Sequence, residues 1–360
     1  MTVKEIAGLA GVSIGTVDRV LYRRGRVSGE TRARVEAIIE QYQFTPNPIA
    51  RRLKRNRAYH FCALIPQREQ DSGYWGQALE GIQSGAGEIA PLGIETEVVE
   101  FNRYNPRSFR AAAASVLEKN PEGIIFPPIM PNETRRFIAA VEDKHIPYVF
   151  FDADIPGTAP LCVIGQDSLR GGYLAGRLMH LFAGTITGSA AVLDIHGEDY
   201  HITRRRDGFL KYAREHHFAA VVREYSDFKG TELSKEDIRL FLREYPDLQG
   251  IFITNSSAHR IVETVKHIRK RRNFFIIAYD LIPNNHALLR EGLIDAIISQ
   301  RPEIQGRRAL LDLYRHIVLG RRIAPKVEIP LDVYIKENAP ADLIPAGLDM
   351  TDEAVPKLKL

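Results

Sequence analysis

Residues 2–21 confine the start of this chain to two short helices meeting across a tight turn. Thr2 and Glu5 stand at the spacing of a capping box, in which each side chain accepts the other's backbone N–H, so a first helix begins there. Gly11 falls where the end of that helix wants a left-handed residue, and Ser13 can cap a second one. Ile6, Leu9 and Ala10 give the first helix an apolar side. Val17, Val20 and Leu21 give the second a facing one, both at i, i+3, i+4. A third helix, capped by Ser28, turns Val35, Ala37, Ile38, Ile39 and Tyr42 inward to close a three-helix core. This is the pattern of a helix-turn-helix, whose second helix is built to lie in a major groove.

Charge points the same way. Residues 1–57 hold 12 Lys and Arg against 5 Asp and Glu, a net of +7. The whole chain sums to +4, so residues 58–360 carry −3. Basicity gathered into one small unit is the footprint of phosphate binding, and a solvated basic face would not need a helix-turn-helix beneath it. The remaining 300 or so residues, in a chain 44% hydrophobic, are ample for a large two-lobed body. Cys62 and Cys162 stand alone in apolar contexts without metal-type spacing, which fits a reducing compartment. The polar, already patterned N-terminus gives no signal peptide, and no apolar run nears the roughly 18 residues of a membrane span. The expectation is a cytoplasmic protein, nucleoid-associated if the head binds DNA, with no membrane partner and no cofactor.

After the head, Asn47 is a good N-cap and Pro48 suits a first helical turn. Only about two turns remain before a strand-like run, so this helix is marginal alone. It is either a charged linker or a segment that becomes helical on DNA, with Leu53 as an apolar wedge. Here the chain resembles the LacI/GalR family of bacterial transcription regulators. The matching residues are Ile6, Ala7, Ala10 to Ser13, Thr16, Val17, Arg19 to Leu21, Val27, Ser28, Thr31, Arg32 and Pro46 to Arg51.

The resemblance implies a recognition helix at positions 13–21 and a hinge helix at 47–54, the hinge pairing with a twin in the minor groove and bending the duplex. The DNA contacts it implies are Thr2, Ser13, Ile14, Gly15, Thr16, Asp18, Arg19, Tyr22, Arg26 and Ser28 in the head. In the hinge they are Asn47, Ile49, Ala50, Arg51, Leu53 and Lys54. Two departures stand out. The family's main base-reading pair falls on Ile14 and Gly15, neither of which hydrogen-bonds through a side chain. That leaves thymine methyls against Ile14 or backbone approach at Gly15. Asp18 replaces the usual serine, so Arg19 is the best guanine reader.

Beyond Arg57, apolar strands alternate with amphipathic helices. Strands are expected at Phe61–Ile65, Thr96–Glu100, Gly123–Phe126, Tyr148–Phe151, Cys162–Ile164, Ala190–Leu193, Ala220–Tyr225, Gly250–Ile253, Phe275–Tyr279, Ala296–Ser299 and Val327–Leu331. This is the α/β pattern of parallel sheets with crossover helices, enough for two lobes. No strand leads into a nucleotide-binding glycine motif or a nucleophile elbow. The stretch resembles the periplasmic sugar-binding fold, ribose-binding branch, with three crossovers between lobes and a ligand cleft at the strand ends. The implied division is a head at 1–46, a hinge at 47–57, an effector and dimerisation domain at 58–340 and a tail at 341–360. Within the domain, one lobe takes 58–165 and 300–326 and the other 166–299 and 327–340.

Carried over position by position, the effector contacts are Tyr74, Trp75, Asp152, Asp167, Arg205, Asn255, Asp280 and Gln300. Carboxylates and amides exchange hydrogen bonds with ring hydroxyls, a guanidinium donates a planar fork, and aromatic faces cover C–H surfaces. Any one Asp at a strand end is as readily a helix N-cap. The loop from Asp194 to His201 carries two histidines and three carboxylates, but it lacks a rigid ligand pair, so no metal is expected and His196 or Tyr200 is placed at the cleft rim. The basic run from Lys266 to Arg272 reads as a solvated helix end. The tail carries prolines and no leucine heptad, so a dimer is expected rather than a coiled-coil tetramer.

The function that follows is a dimeric, operator-binding transcription regulator, a repressor of carbohydrate-utilisation genes under a sugar-like effector. The chief alternative is a sugar-binding or sugar-processing protein with an accessory DNA-binding head. As an enzyme, it would use Asp152 and Asp167 as its acid/base pair.

Overall fold

A computed structural model of the protein describes residues 1–21, 25–42, 44, 58–195, 198–225, 235–269, 274–341 and 343. Tyr22, His196, the expected hinge with Asn47, Ile49, Ala50, Arg51, Leu53 and Lys54, and the tail beyond residue 343 lie outside the described residues.

The head is α1 (Val3–Ala10), α2 (Ile14–Leu21) and α3 (Gly29–Gln41). Both halves of the capping box form, with Thr2 N–H to Glu5 at 2.7 Å and Glu5 N–H to the Thr2 hydroxyl at 3.2 Å. Gly11 ends α1 in the left-handed region at φ 63°, and Ser13 and Ser28 accept from the N–H groups of Thr16 and Thr31. The buried core is Ile6, Ala7, Ala10, Val17, Val20 and Val35, with Ile38, Ile39 and Phe44 packed on its edge. Three expected core positions are corrected: Leu9, Ala37 and Tyr42 are exposed. Ala7 takes the inward place expected of Leu9, so the buried stripe of α1 is rotated by part of a turn.

The body alternates strand and helix. Its first lobe begins with β1 (Tyr59–Pro66), α4 (Tyr74–Ile89), β2 (Ile94–Phe101), α5 (Pro106–Glu118), β3 (Gly123–Phe126), α6 (Pro131–Asp143), β4 (Tyr148–Phe151) and β5 (Cys162–Gly165). The second follows with α7 (Ser168–Ala183), β6 (Ser189–Ile195), α8 (Tyr200–Glu215), β7 (Ala219–Tyr225), α9 (Lys235–Glu244) and β8 (Leu248–Ile253). It continues through α10 (Ala258–Arg269), β9 (Phe275–Tyr279), α11 (Pro283–Arg290) and β10 (Ala296–Ser299). Then α12 (Pro302–Ile317) and β11 (Lys326–Glu328) rejoin the first lobe, and β12 (Asp332–Tyr334) ends in the second.

The two sheets have the same order, β11-β5-β4-β3-β1-β2 and β12-β10-β9-β8-β6-β7. Every pairing is parallel except β10 with β12. Central strands such as β3, β4 and β10 are buried along their whole length, as helices on both faces require. The expected strand Val327–Leu331 is corrected. Its first part pairs with β5 through Glu328, while Asp332 onward pairs with β10. Pro330 between them has no N–H to continue a ladder, so the third crossover falls after Glu328, and residues 327 and 328 belong to the first lobe's sheet.

Glycine pairs set how the cleft-side helices approach. A Cβ at Gly172 of α7 would stand 1.7 Å from the Arg205 carbonyl oxygen on α8, and one at Gly208 would stand 2.0 Å from that of Leu169. The first lobe repeats the device. There a Cβ at Gly81 of α4 would stand 1.9 Å from the Glu303 carbonyl oxygen, and one at Gly306 of α12 would stand 2.5 Å from that of Ala78. Only hydrogen fits at these crossings, and each draws a helix N-terminus to the rim between the lobes. Replacing Gly172 by Ala should destabilise the protein by about 1–3 kcal/mol through overpacking. Gly87→Ala on α4, where nothing lies within 4 Å of the new methyl, should instead stabilise by a few tenths to about 1 kcal/mol. Urea midpoints for the pair test this, and equal midpoints would show that the helices can slide apart freely.

Candidate ligand cleft and nucleic-acid interface

Asp152 follows β4 and Asp280 follows β9, the same place in the two sheets. Each continues its strand's pairing by one bond, Asp152 N–H to the Ile164 carbonyl at 3.0 Å and Asp280 N–H to that of Ile298 at 2.9 Å. Each then turns through the left-handed region, at φ 71° and 69°, a conformation that aspartate accepts more readily than most residues. The turn aims both carboxylates between the lobes. Tyr74, at the start of α4, donates its hydroxyl to Asp152 at 2.5 Å. Gln300, leaving β10, donates its amide to Asp280 at 2.8 Å, and its other amide atom, Oε1, is buried without a hydrogen-bond partner.

Arg205 enters from α8 and is 1% exposed. Its Nη1 donates to the Thr254 carbonyl at 2.8 Å, and its guanidinium lies 3.8 Å from the centre of the Tyr279 ring. Its Nε and Nη2 make no hydrogen bond. A guanidinium buried with two unused donors costs free energy unless something completes it. Asn255 follows β8 and turns its side-chain oxygen to the Ser257 N–H at 3.0 Å.

Seven of the eight expected positions therefore meet in one cavity: Tyr74, Trp75, Asp152, Arg205, Asn255, Asp280 and Gln300. The eighth, Asp167, does not join them. It caps α7, accepting the Arg170 N–H at 3.0 Å, and lines a neighbouring space of about 250 Å³ that shares Asp152 and His201 with the cleft. The bland reading of a strand-end aspartate holds at that position.

Six further residues line the cleft that sequence reasoning missed: Asp71, Arg103, Asp199, His201, Ile202 and Ser256. Arg103, just past β2, is gripped by Asp71 of its own lobe and by Asp199 of the other, the latter at 2.6 Å. Asp71 also accepts from the indole of Trp75 at 2.7 Å and the hydroxyl of Tyr104 at 2.7 Å. Asp199 also accepts the Met130 N–H at 3.2 Å. The Ser256 hydroxyl donates to the Asp71 carbonyl and the Gln77 amide to that of Leu281, both across the lobes. The signal available was that Asn102 and Arg103 end a strand, as Asp152 and Asp280 do. In the loop before α8 the sequence favours His196 or Tyr200 at the cleft rim; among the described residues His201 reaches the cleft, while Tyr200 lines the neighbouring space.

The lobes meet closely. Free space in the cleft is about 20 Å³, room for roughly one water, so a larger ligand requires the lobes to part and reclose. Burial pushes Asp152 up to about 6, with the Tyr74 hydroxyl and Arg205 restraining it. It pushes Asp280 up to about 7, with Arg205 and Gln300 restraining it. Asp199 is raised by burial against the pull of Arg103. Among the described residues one group has metal-ligand spacing, His60, Cys62 and Glu97 on β1 and β2. Its Glu97 is engaged by Lys119 and by His60 at 3.3 Å, and burial holds the Cys62 thiol up to about 12.

In the head, the hydroxyls of Thr2, Ser13 and Ser28 are engaged in helix caps, and Ser13 also bonds the Thr16 hydroxyl at 3.0 Å. The outward face of α2 presents Ile14, 45% exposed, with Gly15 and Arg19, while Asp18 is half-buried. Arg26 is exposed. A Cβ at Gly15 would meet nothing closer than the Ser13 hydroxyl at 3.7 Å, so the glycine leaves the surface bare without being needed for packing.

These features define a two-lobed domain with a polar interlobe cleft, preceded by a helix-turn-helix head. Residues 62–321 match the periplasmic binding protein domain and residues 2–47 match the bacterial regulatory proteins of the lacI family. The chain belongs to the periplasmic-binding-protein domain family and carries the lacI-family regulatory domain at its head. It is 28% identical over 193 residues to the HTH-type transcriptional regulator DegA of Bacillus subtilis (strain 168), covering 53% of this chain and 55% of that one. It is 28% identical over 194 residues to the HTH-type transcriptional repressor PurR of Edwardsiella ictaluri (strain 93-146), covering 52% and 54%. The chain thus spans about half the length of these curated relatives. A crystal structure described as a LacI transcriptional regulator from Bacteroides fragilis superposes with a TM-score of 0.73 at 28% identity, over 78% of this chain and 98% of that one. GanP, a glucose-galactose binding protein from Geobacillus stearothermophilus, shares the fold at 22% identity with a TM-score of 0.68, over 79% and 99%.

The raised carboxyls make a pH prediction. An unfolded aspartate titrates near 4, whereas Asp280 in the closed cleft titrates at about 7. Between these values the folded chain holds a proton that the unfolded chain has lost. Stability from this group therefore falls as pH rises through that window, and the penalty is complete above it. Asp280→Asn should melt higher than the parent at pH 8, and the advantage should vanish near pH 4. A loss of stability that is larger at pH 8 than at pH 4 would mean that the carboxylate is worth more to Arg205 than its burial costs.

Proposed function

We propose that this chain is a ligand-responsive transcription regulator, most simply a repressor of carbohydrate-utilisation genes. It would bind operator DNA through its head and a small polyhydroxylated effector in the interlobe cleft. The observation that carries the reading is Arg205, buried in the cleft with two N–H donors unused and flanked by the strand-end carboxylates of both lobes. Such a group is completed by ligand oxygens. The relatives named above are transcription regulators, and structural neighbours are named as glucose-galactose and arabinose binding proteins, which supports a sugar-like effector.

On this reading the protein acts in the cytoplasm as a homodimer, since a head that reads one half-site needs a twin. Ile14 and Gly15 would face bases and Arg19 would read guanine. Residues 47–54 would couple the lobes to the head by ordering or loosening on the operator. A coupling of about 1–3 kcal/mol is typical, roughly tenfold in operator affinity.

Trp75 is the chain's single tryptophan and lines the cleft, so its fluorescence reports occupancy directly. Titrating the full chain with pentoses, hexoses, polyols, their phosphates and purines should give a saturable change with one class. That change should be lost in Arg205→Ala, and the same compound should shift affinity for operator fragments selected from a random pool. Binding that leaves DNA affinity untouched would sink the regulatory reading while keeping the cleft. A compound that is turned over would favour a sugar-processing enzyme instead.

A further inference from the structure

Charge in the closed cleft is unbalanced, and its arrangement says which ligand would restore it. Among the described residues the lining holds four carboxylates, Asp71, Asp152, Asp199 and Asp280, against two guanidiniums, Arg103 and Arg205. Protonation of His201, the one imidazole among the described lining residues, would add one positive charge, and their sum would still be negative. The pairing is uneven as well. Arg103 is held by both Asp71 and Asp199, so those three groups form a closed interlobe clamp. Arg205 is left to serve both Asp152 and Asp280, yet its hydrogen bond goes to the Thr254 carbonyl and its face to Tyr279. The hydrogen bonds these two carboxylates accept come from neutral donors, the Tyr74 hydroxyl and the Gln300 amide.

A second observation marks where a positive group would sit. Gln300 is 2% exposed. Its orientation is fixed by the bond from Nε2 to Asp280, which leaves Oε1 as a buried acceptor with no donor. Beside the Asp280 carboxylate this makes a paired set of acceptors suited to an N–H group carrying positive charge. Arg205 keeps Nε and Nη2 for neutral oxygens elsewhere on the same molecule.

We propose that the cleft selects a polyhydroxylated ligand bearing one protonated nitrogen, seated between Asp152 and Asp280 with the nitrogen donating to Asp280 and Gln300 and the hydroxyls facing Arg205. Amino sugars, amino polyols and imino sugars share this chemistry. The proposal rests on the cleft being the effector site and adds the charge of its occupant. A neutral sugar leaves Asp280 either protonated or charged without a partner, and an anionic sugar phosphate adds further negative charge. Burial already raises both carboxyls, as expected of acids short of a counter-charge.

The test uses the full chain at pH 7, where primary amines of amino sugars are largely protonated, with Trp75 fluorescence and calorimetry as readouts. Matched sets are compared: glucosamine, galactosamine and mannosamine against glucose, galactose and mannose, against their N-acetyl forms, and against the hexose phosphates. Deoxynojirimycin separates a ring nitrogen from an exocyclic one. In one set the amine should bind at least roughly tenfold tighter than its hydroxyl counterpart, the scale of a desolvated charge pair. That gap should close in Asp280→Asn. The variant keeps the Gln300 bond and tolerates the left-handed backbone, and its fold is checked by its melting curve. A neutral sugar or a phosphate binding as tightly as its amine counterpart, or more tightly, overturns the charge assignment while the effector site stands. Saturable binding of a purine, with no binding in the sugar sets, also overturns it. If no compound of any class binds, the effector reading itself falls.

Discussion

The Arg103 clamp is the interaction on which the closed form depends. One guanidinium, 9% exposed, bridges an aspartate of its own lobe and one of the other. Breaking it while the lobes stay shut would strand buried charge at a cost of several kcal/mol. When the lobes part, water replaces the lost partners and that cost disappears. The clamp therefore disfavours partly open arrangements in which its charges are unpaired but still dry. It also positions the site, because Asp71 fixes the indole of Trp75 and Asp199 stands at the head of the helix that carries His201 and Arg205.

Closure and ligand binding draw on the same groups. In the lobe interiors the strands are apolar and the packing leaves no choice of register. At the strand ends the sequence places charge where it is expensive, on a left-handed backbone, in two topologically equivalent positions. A ligand that neutralises or hydrogen-bonds those ends favours the shut cleft over the open one, and the equilibrium shifts by that difference in affinity alone. Three crossovers carry the shift. Gln166, at the first, donates to carbonyls at the other two, Ser299 at 2.7 Å and Pro330 at 2.6 Å. The connecting segments are thereby tied together.

Much of this was legible in the sequence for identifiable reasons. Parallel strands buried on both faces read as unbroken apolar runs, so ten of the eleven expected strands stand within two residues of where they were placed at either end. The eleventh failed at Pro330, where a chain crossing between sheets looks like one continuous strand. Cap residues were legible because a hydroxyl or carboxylate three residues ahead of an N–H is local chemistry. The cleft was less so. Asp152 and Asp280 announce themselves by ending strands, but Asp167 follows one too and caps a helix beside the cleft. What separates them is the left-handed turn, which sequence does not mark when the residue is not glycine. The Arg103 clamp was invisible because its partners lie 32 and 96 residues away, and no local pattern encodes that meeting.

The charge division between the parts limits how such a protein can be regulated. With +7 on residues 1–57 and −3 on the remainder, attraction to phosphate belongs to the head. The body is, if anything, repelled over a Debye length of about 8 Å. On the proposed reading, a change in the cleft would therefore act little through the body's own attraction to DNA. It would act instead on how the two heads of a dimer are held relative to each other, because a head with Ile14 and Gly15 on the outward face of α2 would have few side-chain hydrogen bonds to offer any one half-site. Weak single-site reading makes affinity depend steeply on engaging both half-sites at once, and geometry governs that. On that reading a sparse recognition surface and an interlobe clamp would suit each other: the first would make spacing decisive, and the second would set it.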